Sequence, residues 1–367
     1  MSKARQLADL GNQIDDGAIT GSNMVINGAM TVAQRSSSVT GVTSIGYYTC
    51  DRWNTPMSGA GTWTITQSTD APDGFANSLK LACTTANASL SAGSYLYPRY
   101  LFEGQDIQQL KKGTSSAESI TVSFWVKSNK TGTYHVGYQD QDNNRLRGEA
   151  YTINSSSTWE YKVVTVDGDT TGTLDNDNAS SLQLHFWLVA GSTYTNGGGS
   201  GSWAPTANGN YGDTLDVNLA DTVNNYWQIT GVCLNVGDSA IDFPHESYGD
   251  TLAKCQRYYW QAVKVASGDN NRYPVVNAAV YNTGTATYGT LRFPVAMRAA
   301  PTFSTSIISR FRARYGSDAP CVSGAFHGVI TSQAAVVQFS SSSSITAGRG
   351  GWIEATDSAE ASFDAEL

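Results

Sequence analysis

Four histidines, a scatter of carboxylates and one run of alternating arginines are the residues here whose types could do chemistry. His135 and His185 alternate with apolar residues in strand-like segments, His245 sits in Phe243-Pro244-His245-Glu246, and His327 precedes a glycine. No HExxH, GxSxG or phosphate-loop spacing occurs, so each histidine reads as a hydrogen-bonded structural residue. A glycosidase would need two facing carboxylic acids. Most acids here fall in turn-like contexts (Asp70, Asp73, Asp140, Asp142, Asp167, Asp169), where solvation accounts for them. Asp140-Gln141-Asp142-Asn143-Asn144 offers oxygens at alternating positions, as a calcium loop or an ordinary hairpin turn would. Asp175–Asn178 reads the same way. The expectation is no catalytic centre, no metal and no cofactor.

Arg310, Arg312 and Arg314 alternate within Ile308–Tyr315. On a strand they would share one face about 6.8 Å apart and repel unless anions answer them. Acids such as Asp318, Glu354 or the tail acids, or water, are the ordinary answer. An anionic surface glycan is the functional one, because guanidinium binds carboxylate and phosphate bidentately. Trp260, Tyr281, Tyr288 and Trp352 could stack on sugar rings or be core and interface. Arg310, Arg312, Arg314 and Trp352 are the candidate receptor or glycan contacts.

These residues must be held by strands. Glu118–Lys127 and Ser181–Ala190 alternate apolar and polar positions, with aromatics on the polar face, so both faces are expected to be covered. Trp63–Gln67, Ser78–Cys83, Tyr134–Gln139, Trp159–Val166 and Trp227–Val236 behave alike, and Asp106–Lys111 reads as one helical turn. Turn clusters separate the strands. Eight to ten such strands (roughly) predict a two-sheet jelly roll over 23–250. A smaller β domain over 255–367 follows, with Ser340–Ser344 as a turn; its thin apolar content predicts a core completed by copies of itself. Residues 1–22 form a short amphipathic segment with Leu7, Leu10 and Ile14 on one face, too short to hold itself together.

Only 15% of the 367 residues are charged, and the net charge is −8. That balance excludes a basic nucleic-acid groove. No apolar run reaches the roughly 18 residues of a membrane span, and the N-terminus lacks a signal-peptide core, so folding in a cytoplasm is expected. Cys50, Cys83, Cys233, Cys255 and Cys321 are odd in number and without CxxC spacing; they read as buried thiols.

Asn27-Gly28-Ala29-Met30, Ala33-Gln34-Arg35 and Asp51-Arg52-Trp53 near one end are answered by Phe243-Pro244-His245-Glu246-Ser247-Tyr248-Gly249 and Cys255-Gln256-Arg257-Tyr258-Tyr259. This pair of motifs, read as the opening and closing strands of one sandwich, resembles tailed-bacteriophage (marine or cyanophage-like) fibre proteins with a carbohydrate-binding-module-like jelly roll. The resemblance spans about residues 1–260. It implies a virion protein assembled in the host cytoplasm: most readily a tail fibre that attaches to the host surface, in second place a capsid-attached head fibre or decoration protein. A polysaccharide-degrading tailspike is a third reading, disfavoured by the lack of β-helix repeats. The implied partners are a tail adaptor, nozzle or capsid protein through the N-terminus, further copies in a homotrimer, and a host glycan. Deleting residues 2–16 should therefore abolish incorporation into particles; full occupancy by the truncated protein would contradict the docking role of Leu7, Leu10 and Ile14.

Overall fold

The computed structural model describes residues 23–195, 197, 201–280, 284–315 and 318–367. Leu7, Leu10, Ile14 and Tyr281 lie outside them. The fold is all-β, and among the described residues no helix is long and apolar enough to cross a membrane. The chain divides into two units, the first running through Thr251 and the second covering Leu252–Glu366.

The first unit is a jelly-roll sandwich. One sheet has six strands in the order Ser38–Val42, Thr62–Ser68, Ser78–Thr85, Tyr226–Val236, Ile120–Ser128 and Glu160–Val166. The other has seven: Ala204–Pro205, Arg145–Ile153, Gly132–Asp140, Ser180–Trp187, Arg99–Glu103, Trp53–Thr55 and Gly46–Tyr47. Period-two alternation, reset by a bulge between Thr230 and Cys233, sends Val122, Phe124, Val126, Ile229 and Leu234 from the first sheet against Tyr134, Val136, Leu184, Phe186 and Trp53 from the second. Burial of these side chains, each about 1.5–3 kcal/mol, holds the sheets together. Asp106–Lys111 becomes two consecutive 3-10 turns, Gly104–Asp106 and Gln108–Leu110. All five cysteines are free and buried.

The paired end motifs are not the opening and closing strands expected of them. Residues 23–35 form turns, the last sandwich strand ends at Val236, and Tyr248–Gln256 is a helix. Ser247 caps that helix, accepting from Asp250 N at 3.2 Å and donating to its carboxylate at 2.7 Å. The motifs instead tie the sandwich shut. Asn27, at φ 59°, accepts from Val32 N and donates to Val32 O and Asp51 O at 2.9–3.0 Å. Gly28 O accepts from Val232 N at 3.0 Å. A Cβ at Gly28 would stand 2.1 Å from Val232 O, so only glycine fits. Arg52 is fully buried over the Tyr100 ring and donates to Leu101 O at 2.7 Å.

Where a calcium loop was conceivable, the structure has a hairpin turn and an ammonium. Asp140 pairs with Arg145 in register across the turn. Lys112 Nζ lies 2.5 Å from Asp140, 3.1 Å from Asp169, and within 2.9 Å of Thr171 O and Gly172 O. Arg145 clamps Asp169 bidentately. These oxygens thus surround the chain's own cation.

In the second unit, Tyr273–Ala279, Gly284–Arg292, Ala334–Ile345, Asp318–Ile330, Phe311–Arg314 and Gly350–Ala355 close into a barrel in that order. Tyr259–Lys264, Glu360–Asp364 and Thr302–Ser306 form a separate three-stranded sheet. The expectation that this unit is too thin to build its own core is corrected. Phe311, Val337, Phe339, Ile353 and Phe363 are buried at 0–1% exposure, with Ala313, Ala335, Ala355 and Ala361 letting strands approach. Nor is Ser340–Ser344 a turn: the strand runs through it, and Ser341 points inward, donating to Thr285 O at 3.1 Å.

Lys112→Met should lower the unfolding free energy by about 3–5 kcal/mol, because it strands the buried Asp140 carboxylate and leaves Asp169 with Arg145 alone. Lys111→Met, which removes an exposed pair with Glu118, should cost under about 1 kcal/mol. Urea titration of both variants checks this; equal costs would contradict the assignment.

Candidate functional site

The outer face of the seven-stranded sheet, turned away from the core, carries a layer that is both polar and aromatic. Register places His135 beside Trp187, Gly137 beside His185 and Gln139 beside Gln183. His185 in turn faces Arg99, and Arg99 faces Asn54. Two glycines make the room. A Cβ at Gly137 would meet the His185 ring at 2.1 Å, and one at Gly148 would meet His135 at 2.2 Å.

Hydrogen bonds order the layer. Arg99 donates from Nε to Asn54 Oδ1 at 3.0 Å and from Nη1 to Gln183 Oε1 at 2.9 Å. Gln139 donates to Tyr211 OH at 2.8 Å. Trp187 Nε1 donates to His185 Nδ1 at 2.9 Å, which puts the His185 proton on Nε2. Over these residues run the described residues of 191–215. Gly191 N bonds Ser94 O, Gly212 N bonds Tyr194 O and Asp216 N bonds Thr133 O at 2.7–3.1 Å.

Five aromatic rings crowd the rim. Tyr97 stacks on Trp187 at 4.3 Å and 24°. Tyr194 and Tyr211 approach Trp187 at 5.4 and 6.0 Å, and Tyr95 meets Tyr194 edge-on at 5.7 Å. Trp187 is buried, while Tyr95, Tyr97, Arg99, Tyr194 and Tyr211 are half-buried and reach the surface. Burial pushes the Tyr97 phenol up to about 12 and raises Tyr194 and Tyr211, so all three are neutral hydroxyls. Burial drives His135 down to about 4 against the opposing pull of Asp213, and drives His185 well below the usual range. Such a face can stack on rings and exchange hydroxyl hydrogen bonds.

Sequence reasoning named Trp187, as a structural residue of the covered face, and none of the tyrosines or Arg99. The signal was present in Ser181–Ala190, whose second face carries His185 and Trp187 where water-facing residues would be ordinary. The expected coverage of that face holds for Trp187, 1% exposed, but only partly for Trp125, half-buried beside the exposed Tyr161 at 5.3 Å.

The predicted arginine row lies in the second unit and is not one strand face. Arg310 ends a 3-10 turn, Ile308–Arg310, and pairs with Asp357 at 2.9 Å. Only Arg312 and Arg314 share the outer side of Phe311–Arg314. Arg314 approaches Glu354 at 3.5 Å, and Trp352, 43% exposed, stands opposite Arg314 in register. Trp260 instead stacks on Phe363 at 5.3 Å as part of the core, and Tyr288 is half-buried.

No protein-family model matches the chain, and no curated protein matches it. Among solved structures it is similar to the enzymatically active domain of tailspike protein 4 of Bacteriophage CBA120: 13% identity, 58% of this chain, TM-score 0.30. That match covers 21% of the tailspike chain. It is also similar to the family 11 carbohydrate-binding module of Clostridium thermocellum, with 12% identity over 56% of this chain and 97% of the module, TM-score 0.28. A putative sugar binding protein from Bacteroides thetaiotaomicron gives 13% identity, 58% and 99% coverage, and TM-score 0.31.

The two buried histidines make stability depend on pH. Their folded pKa values lie below the unfolded value of about 6.5, so their contribution is full above that pH. It is lost as pH falls from about 6.5 towards about 4, where the unfolded chain takes up protons that the folded chain refuses. Asp70, Glu160, Asp169 and Asp221, all lowered from the ordinary carboxylate value, add their loss from about pH 5 downwards. Thermal midpoints should therefore fall between pH 6.5 and 4.5, and His135→Asn should flatten the slope. An unchanged slope in the variant would contradict the assignment.

Proposed function

We propose that the protein is a non-catalytic attachment subunit of a phage particle, a tail fibre, whose sandwich binds a surface saccharide through its outer aromatic face. One observation carries the binding reading. Tyr95, Tyr97, Tyr194 and Tyr211 gather around Trp187, with the Arg99 guanidinium and the Gln139 and Gln183 amides among them. Aromatic faces beside fixed donors and acceptors suit a ligand made of apolar ring faces edged by hydroxyls. A nonpolar ligand would leave the amides and phenols unmatched.

The absence of catalysis is part of the proposal. His135 and His185 are 0% and 1% exposed and held neutral, which keeps them from exchanging protons with a ligand at the rim. The placement on a phage particle rests on the resemblance of the paired end motifs, and assembly as a homotrimer docked through residues 1–22 belongs to the same reading.

Binding of the full chain to cello-, xylo-, manno- and chitohexaose tests the saccharide site. Tyr194→Ala and Tyr95→Ala, both at the rim, should each weaken binding by about five- to tenfold while leaving the thermal midpoint nearly unchanged. Undiminished binding in both variants, or no binding of any of the four, would overturn the assignment.

A further inference from the structure

The barrel of the second unit carries a separate, charged face. Along Phe311–Arg314, Phe311 and Ala313 point inward at 0% exposure and Arg312 and Arg314 point outward. The neighbouring strand sets Glu354 opposite Arg312 and Trp352 opposite Arg314. Asn277 faces Trp352 from the far side. Glu354, 3% exposed, is the carboxylate on which the face converges. Arg272 Nη1 reaches it at 2.7 Å, Arg314 Nε at 3.5 Å, and Trp352 Nε1 donates to it at 3.3 Å. At the Trp352 end of the row Arg349 donates to Tyr315 O at 3.0 Å.

Arg312 lies opposite Glu354 on one side and Pro320 on the other in register. Among the described residues Arg312 has no ion pair or hydrogen-bonded partner for its guanidinium. Its planar guanidinium keeps donors that a ligand carboxylate satisfies bidentately.

We propose that this face binds an acidic saccharide, with the sugar carboxylate on Arg312 and the ring against Trp352. The indole favours a sugar over a membrane. Its Nε1 is tied to Glu354 two residues along the same strand, so the ring lies along the sheet and is not free to project into lipid. This site is independent of the sandwich rim and differs from it in ligand charge.

The test uses the full chain with polygalacturonate, polysialic acid, neutral dextran, and vesicles of phosphatidylglycerol and phosphatidylcholine. At least one of the two acidic polymers should bind and dextran should not compete. Binding should weaken about tenfold or more between roughly 50 and 300 mM salt as charges are screened. Arg312→Gln removes no internal partner, so the thermal midpoint should hold while affinity falls about tenfold; Arg312→Lys should restore part of it. Trp352→Ala should weaken binding, and Tyr194→Ala should not, which separates this site from the sandwich rim. Full-strength binding by Arg312→Gln, failure of both acidic polymers, or Arg312-dependent capture by vesicles alone would each overturn the proposal.

Discussion

Both faces of the seven-stranded sheet are buried, and only one of them is apolar. That constraint shapes the first unit. The inner face is satisfied by the opposing sheet, through packing that asks only for shape and hydrophobicity. The outer face carries histidines, amides and a guanidinium, each of which costs stability unless it finds a partner. The described residues of 191–215 and the tyrosines supply that cover: Thr214 Oγ1 meets His135 Nδ1 at 2.7 Å, and Tyr211 OH meets Gln139 at 2.8 Å. A covered polar layer with aromatic edges is expensive to maintain if its purpose is only to close a sheet. Aliphatic residues would do so at lower cost.

Much of the sandwich was legible in the sequence because period-two alternation is local. Glu118–Lys127, Trp63–Gln67 and Trp227–Val236 became strands within a few residues of their expected limits. The end motifs were legible as important but not as what they are. Asn27, Asp51 and Arg52 act through contacts to Val32, Gln34 and Leu101, which no periodicity reveals. Their polarity is spent inside the fold, where Asn27 and Arg52 hold left-handed backbone at φ 59° and 74°.

The functional faces were harder to see, for topological reasons. The aromatic rim collects Tyr95 and Tyr97 from one stretch and Trp187, Tyr194 and Tyr211 from another about 90 residues later, brought together only by strand order. The arginines were visible as a pattern, but Arg310 was misplaced because a 3-10 turn interrupts the expected strand. Arg272, which completes the charged face, lies about 40 residues earlier and was invisible until register set Tyr273–Ala279 beside Glu354. The barrel core was underestimated because alanine and serine fill inward positions that a hydrophobicity count undervalues.

The central claim is that the outer face of the seven-stranded sheet is a saccharide site and not merely a sealed surface. Hydrogen exchange of the full chain, with and without each of the four neutral hexaoses, addresses it at the residues concerned. The account predicts ligand-dependent protection confined to residues 94–99, 183–187 and the described part of 191–215. Protection confined elsewhere in the sandwich, or none under saturating hexaose, would contradict it.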